Sequence, residues 1–198
     1  RVKRRTYFWI DFETTGVFDI LSEIPVFPID VGIIITDDDY NIYETYEYMI
    51  SWKELHKKIN TFNDRIQWPD EFKDAYQYHK IEANDYLDKS VDVNIVGEDI
   101  YALAKKYTFK NAITNPVLIS DNIQFEYRLM EETLKPYCRT ENLKWPFHYC
   151  GYDTSEFLIR TGIGDPKNVE HNPLRDASTL LTHMVRARQY INKDVETW

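Results

Sequence analysis

Tyr7-Phe8-Trp9-Ile10-Asp11-Phe12-Glu13-Thr14-Thr15-Gly16 is the stretch on which the fold turns. Four large apolar residues in succession read as a buried strand. Residues two apart on a strand share a face, so Asp11 and Glu13 project together from the strand end while Phe8, Ile10 and Phe12 fill the opposite side. Two carboxylates side by side in an apolar setting repel each other unless something positive sits between them. A divalent cation is the natural candidate.

Working outward, Pro28 to Thr36 is a second apolar run, with Ile29, Val31, Ile33, Ile34 and Ile35. Asp37-Asp38-Asp39-Tyr40-Asn41 reads as a solvated hairpin tip, not a metal site, leading to a third strand from Ile42 to Ser51. Short strands joined by polar turns predict an antiparallel meander. The period then changes: Val96, Ile100, Leu103, Ala104 and Tyr107 fall at helical spacing, as do Ile123, Tyr127, Met130 and Leu134, and Ala177, Leu180, Leu181, Met184 and Val185. Asn115 to Ser120 suits a buried parallel strand, Phe147 to Cys150 a weaker fifth, and Thr154 to Arg160 a helix. From Trp52 to Asn94 the pattern is least regular; Trp52, Phe62, Trp68, Phe72, Tyr76 and Tyr78 suggest helical segments packed over the sheet edge. The order predicts an α/β fold: a mixed five-stranded sheet, antiparallel meander plus parallel strands, flanked by helices.

The 198 residues suit one compact domain, 1–198, with Arg1 to Arg5 as a basic flank. Cys138 and Cys150 match no zinc spacing and read as reduced thiols. With no membrane-length apolar run and no signal core, the expected setting is intracellular, in the cytoplasm. A net charge of −9 argues against a broad basic footprint for duplex DNA. Local phosphate contacts remain compatible with it, because carboxylates that carry metal ions present positive charge.

Near the C-terminus stands His171-Asn172-Pro173-Leu174-Arg175-Asp176. Proline disfavours helix at the residue before it and suits a first helical turn, so a helix is expected to start close to Pro173. Asp176 then lies in that turn and His171 on the preceding loop.

Together with Asp11 and Glu13, this arrangement resembles the DEDDh exonucleases, proofreading-epsilon-like members of the RNase H-like superfamily. The resemblance runs through nearly the whole chain. The family's first motif matches Asp11 and Glu13, followed by Thr14, Thr15 and Gly16; its third matches His171 and Asp176. His79-Lys80-Ile81 and Tyr152-Asp153-Thr154 are weaker echoes. The second motif departs from the pattern, reading Asp121-Asn122-Ile123-Gln124-Phe125-Glu126 where a histidine-asparagine pair and Phe-Asp are usual. In register, the expected aspartate is Glu126, which borders the buried stripe of its helix, where a carboxylate needs a partner. Asp121 is the alternative, although with Gln124 three residues on it forms a capping-box pattern.

The resemblance implies a metal-dependent 3′-to-5′ exonuclease acting at 3′ ends of single-stranded DNA or RNA and releasing nucleoside monophosphates. It implies two ions, Mg²⁺ or Mn²⁺, with Asp11 bridging, Glu13 and Asp176 completing one site and Glu126 supporting the other. Oxygen-only ligation favours these metals over zinc. His171 is the implied general base, a role suited to imidazole. Thr14, Thr15 and Gly16 are expected to meet the terminal nucleotide through backbone amides and Phe125 to contact a base, with Phe12 in the core. His56, His79, His148 and His183, lacking an acidic partner at that spacing, read as structural. Two other readings stay open: a catalytically impaired nucleic-acid-binding module, and an RNA-trimming exoribonuclease. Protein partners and assembly are not legible.

Overall fold

The computed structural model describes residues 5–16, 25–62, 65–72, 77, 79–108, 115–162 and 171–195. In chain order the elements are β1 (Tyr7–Thr14), β2 (Pro28–Thr36), β3 (Ile42–Ser51), α1 (Lys53–His56), β4 (Asn60–Phe62) and β5 (Arg65–Gln67). A 3₁₀ turn (Asp70–Phe72) precedes α2 (Ala83–Lys89), β6 (Val91–Asp92), α3 (Val93–Lys106) and β7 (Val117–Ser120). The last are α4 (Ile123–Thr140), β8 (Tyr152–Asp153), α5 (Ser155–Thr161) and α6 (Pro173–Val195). Of the basic flank, residues 1–4 lie outside the described residues, as do Tyr76 and Tyr78. Arg5 is tied down, its amide donating to Asp38 and its guanidinium to the Tyr152 hydroxyl.

Among the described residues the main sheet has six strands, in the order β6-β3-β2-β1-β7-β8. β1, β2 and β3 form the antiparallel meander, while β7 runs parallel to β1 and β8 parallel to β7. The expected five strands thus become six, the extra one being β6, two residues parallel to the end of β3. So short a strand leaves no period to read. The expected fifth strand also moves, from Phe147–Cys150 to Tyr152–Asp153. Phe147 is apolar because it packs edge-on against Phe8, with ring centroids 5.1 Å apart, not because it joins a ladder. In the irregular stretch, β4 and β5 form a separate antiparallel ribbon instead of helix. The acidic triplet is the expected hairpin tip: Asp37 accepts the amides of Asp39 and Asn41.

β1 separates two cores. Phe8, Ile10 and Phe12 pack with Val31, Ile33 and Leu118 under α3 and α4, through Val96, Ile100, Leu129 and Met130. On the other face Trp9 packs with Ile34, Ile119 and, from α5 and α6, Leu158, Ala177, Leu180 and Leu181. Strand alternation puts Asp11 and Glu13 on the Trp9 face, beneath the start of α6. A third cluster, Ile29, Leu55, Phe72, Ile81 and Tyr86, holds the 52–90 segment to the sheet. Polar bonds reinforce it: Trp68 Nε1 donates to the Ile81 carbonyl at 2.7 Å and the Tyr86 hydroxyl to the Ile50 carbonyl at 2.8 Å.

Gly32 sets how closely α6 approaches. It pairs with Asp11 across the β1/β2 ladder. A Cβ there would lie 2.2 Å from the Leu174 nitrogen and 2.4 Å from the Pro173 oxygen, both backbone atoms that cannot rotate away. Gly32→Ala is therefore expected to push out the first turn of α6, at a cost of about 3 kcal/mol. For a chain of this size that is a melting-temperature loss of roughly 6–12 °C. Thermal denaturation checks it; an unchanged melt would mean that the helix seat yields freely.

Candidate active site

Four separated segments supply the site. β1 ends with Asp11 and Glu13, and the first turn of α6 carries Asp176. One carboxylate oxygen from each of Asp11, Glu13 and Asp176 lies within 4.8 Å of the others. Asn172 starts that helix, its side-chain oxygen accepting the Arg175 amide at 2.9 Å, an N-cap that holds the turn in register. Asn172 Nδ2 also donates to Glu47 of β3, fastening the helix start to the sheet. His171 stands just outside the helix at φ 53°, a left-handed conformation that turns the chain sharply into α6.

Glu126 comes from the opposite layer, in the first turn of α4, and is 4% exposed. It accepts the Phe12 amide, yet its Oε2 is buried with no hydrogen-bond partner among the described residues. Such an atom is costly without a cation or donor. Asp121 is exposed at the end of β7. The expected capping box does not form there: α4 begins after Asn122, and the Ile123 amide donates to Asp153 instead. Tertiary contact with β8 supplies the cap that local sequence seemed to assign to Asp121.

Crowding shows in the electrostatics. Burial first, then the charges of Glu13 and Asp176, with Asp121 and Asp30 beyond, push the Asp11 carboxyl well above its ordinary range. Burial, followed by Asp11, Asp121 and Glu13, does the same to Glu126 against the opposing Phe12 amide. Two carboxyls whose ionised forms are disfavoured in this way are suited to a hard divalent cation, which favours their charged forms. The residues present therefore fit the metal that the sequence implies.

Asp30, opposite Glu13 on β2, is pushed up to about 7 by burial, with Glu47 and Glu13 adding repulsion. A carboxyl raised in the folded state leaves stability unaffected below the unfolded value near 4. It costs progressively more as pH rises toward 7, up to about 4 kcal/mol above that. Asp30→Asn is expected to melt like the parent near pH 4 and several degrees higher above pH 7. Melts in chelator across that range check it; equal melts at high pH would refute the assignment.

Two features were not foreseen. His79 is no bystander: its Nδ1 contacts Glu13 Oε2, and its ring meets His171 edge to face, with centroids 5.4 Å apart and planes at 78°. The His79-Lys80-Ile81 echo was the available signal. The Thr15 amide, expected to face a nucleotide, donates to the Phe27 carbonyl at 3.0 Å, and the Thr15 hydroxyl accepts the Phe27 amide. Thr14 Oγ1 donates to the Gly16 carbonyl. Phe12 is core, as expected, and Phe125 is half-buried beside Glu126. His56 bonds Ser51 and sits structurally, while His148 contacts the Cys150 carbonyl.

No family model and no curated protein matches the sequence. Solved structures do align. A zinc-bound complex of E. coli exonuclease I with single-stranded DNA superposes with a TM-score of 0.62 at 14% identity, over 96% of this chain and 42% of that one. The nuclease domain of 3′hExo, a DEDDh member bound to rAMP, superposes with a TM-score of 0.59 at 16% identity, over 94% of this chain and 92% of that one. The chain has the fold of the DEDDh 3′-to-5′ exonucleases. Exonuclease I from Methylocaldum szegediense gives the same result, with a TM-score of 0.60 at 16% identity over 93% of this chain and 41% of that one. This chain thus spans less than half of the exonuclease I chains but nearly all of the 3′hExo domain. In this fold the carboxylates gather at the end of β1, where the meander meets the parallel strands. No helix among the described residues is long and apolar enough to cross a membrane.

Proposed function

We propose that residues 1–198 form one exonuclease domain that hydrolyses phosphodiester bonds from the 3′ end of single-stranded nucleic acid, releasing nucleoside monophosphates. The observation that carries this reading is the convergence of Asp11, Glu13 and Asp176 within 4.8 Å, with His171 beside them, on a DEDDh fold. Asp11, Glu13, Asp176 and Glu126 are the groups to hold two Mg²⁺ or Mn²⁺ ions. Such ions, when bound, favour water activation and relieve charge on the leaving oxygen.

The chain's own residues do the rest. Asp11 feels the charges of both Glu13 and Asp176 and is in turn felt by Glu126, so it would suit the role of shared ligand, with Glu126 supporting the second ion. His171, on the loop at the start of α6, takes the proton from the attacking water. Its neighbour His79 braces both the ring and Glu13. Gly16 and Phe125 are the proposed contacts for the terminal nucleotide, the second by stacking, which every base allows.

The test is digestion of 5′-labelled and 3′-labelled single-stranded DNA and RNA in Mg²⁺ and in Mn²⁺. A ladder shortening from the 3′ end of the 5′-labelled strand, with mononucleotide released at once from the 3′-labelled strand, is the expected result. No hydrolysis of either polymer under either metal would leave a binding module instead. His171→Ala is expected to lower turnover by about 10²- to 10⁴-fold while keeping metal-induced stabilisation. Parent-like turnover near neutral pH would remove His171 from the mechanism.

A further inference from the structure

Glu13 belongs to two donor sets. With Asp11 and Asp176 it makes an all-oxygen group; with His79 and His171 it makes a second, in which one ligand atom from each residue also lies within 4.8 Å of the others. We propose that Glu13, His79 and His171 form a distinct site for a zinc-class ion that competes with the all-oxygen site for the Glu13 carboxylate.

The chemistry of the donors separates the sites. Two imidazoles and a carboxylate are the ligands of one class of zinc centre with an open fourth position, whereas Mg²⁺ requires oxygen. For a mixed nitrogen and oxygen set, affinity rises steeply from Mn²⁺ to Zn²⁺. Metal–ligand bonds of about 2.0–2.2 Å place tetrahedral donors roughly 3.3–3.6 Å apart, so the ion needs only small side-chain adjustments, the His79–Glu13 contact opening to admit it. The three donors reach this point independently. Glu13 is fixed in β1 and only 3% exposed. His79 is presented by a segment whose next anchor, Ile81, is buried and bonded to Trp68. His171 stands on the left-handed turn into α6, with its ring edge to face against His79. His79 already touches Glu13, so two of the three donors are in place side by side.

The consequence for turnover rests on the exonuclease reading: an ion here withdraws His171 from proton transfer and Glu13 from the all-oxygen site. Zinc then inhibits by rearranging the centre instead of merely displacing magnesium.

The probes are Zn²⁺, competed against a chromophoric chelator, and Co²⁺, whose visible spectrum distinguishes tetrahedral nitrogen ligation from six-coordinate oxygen. In excess Mg²⁺ the intact protein is expected to hold one Zn²⁺ tightly and to give the intense tetrahedral Co²⁺ spectrum. His79→Gln and His171→Gln are each expected to weaken Zn²⁺ by about 100-fold or more and to abolish that spectrum. Glu126→Gln, outside the set, is expected to retain both. Should His79→Gln fail to fold, His171→Gln reads the same site. Parent-like Zn²⁺ affinity in the folded histidine variants, or an octahedral Co²⁺ spectrum in the parent, overturns the site. Absence of hydrolysis in Mg²⁺ or Mn²⁺ would overturn the exonuclease reading alone, because the binding readouts do not depend on turnover. Hydrolysis that persists with the zinc site filled would overturn the inhibitory role.

Discussion

Asp11→Ala is expected to abolish hydrolysis and, without divalent cations, to raise the melting temperature at neutral pH. Asp11 sits where burial and the charges of Glu13 and Asp176 converge, so its ionised form is disfavoured in the metal-free fold. Its raised carboxyl costs the metal-free fold nothing below pH 4 and progressively more as pH rises through its folded value. Alanine removes that cost, so the gain is expected to grow with pH. In the parent, Mn²⁺ is expected to relieve the same repulsion, with stabilisation that grows with ligand excess and reaches about 2.7 kcal/mol at a hundredfold over its dissociation constant. The variant is expected to lose most of this. Paired melts with chelator and with Mn²⁺ check it, and undiminished stabilisation in the variant would rule out Asp11 as the bridging group.

Glu126→Gln is expected to reduce activity nearly to nothing, whereas Asp121→Asn costs little. The difference follows from where each carboxyl sits. Glu126 is enclosed, with one oxygen on the Phe12 amide and the other aimed at no donor among the described residues, whereas Asp121 is exposed and caps nothing. Glutamine keeps shape and one acceptor but offers no charge. Glu126→Asp, shorter by one methylene in a place shaped around glutamate, is expected to be partly active. Silencing by Asp121→Asn with Glu126→Gln active would reverse the assignment. Activity in both would place the fourth carboxylate elsewhere.

Much of this was legible one residue at a time. The alternation of Phe8, Ile10 and Phe12 against Asp11 and Glu13 predicted which face carries charge, and Asn172-Pro173 predicted where α6 starts. Helical spacing located α3, α4 and α6, since each buries one continuous stripe. Short or irregular pieces failed for lack of period: β6 and β8 have two residues each, and β4 and β5 three. The local capping pattern of Asp121 with Gln124 is overridden by a distant group: Asp153, brought in by β8, holds the Ile123 amide.

The sequence by itself determined the α/β order, the placement of Asp11 and Glu13 on one face at a strand end, and the pairing of His171 with Asp176 at a helix start. All are consequences of local backbone period, which a few neighbouring residues encode. Tertiary structure alone decided that α6 could come down on β1, because only the absence of a Cβ at Gly32 admits the Pro173 backbone. It also decided that His79 meets Glu13 and His171, through the packing of Ile81, Tyr86 and Phe72 on Ile29. Those contacts join segments dozens of residues apart, and their energy comes from shape and burial at closure, which no local period records.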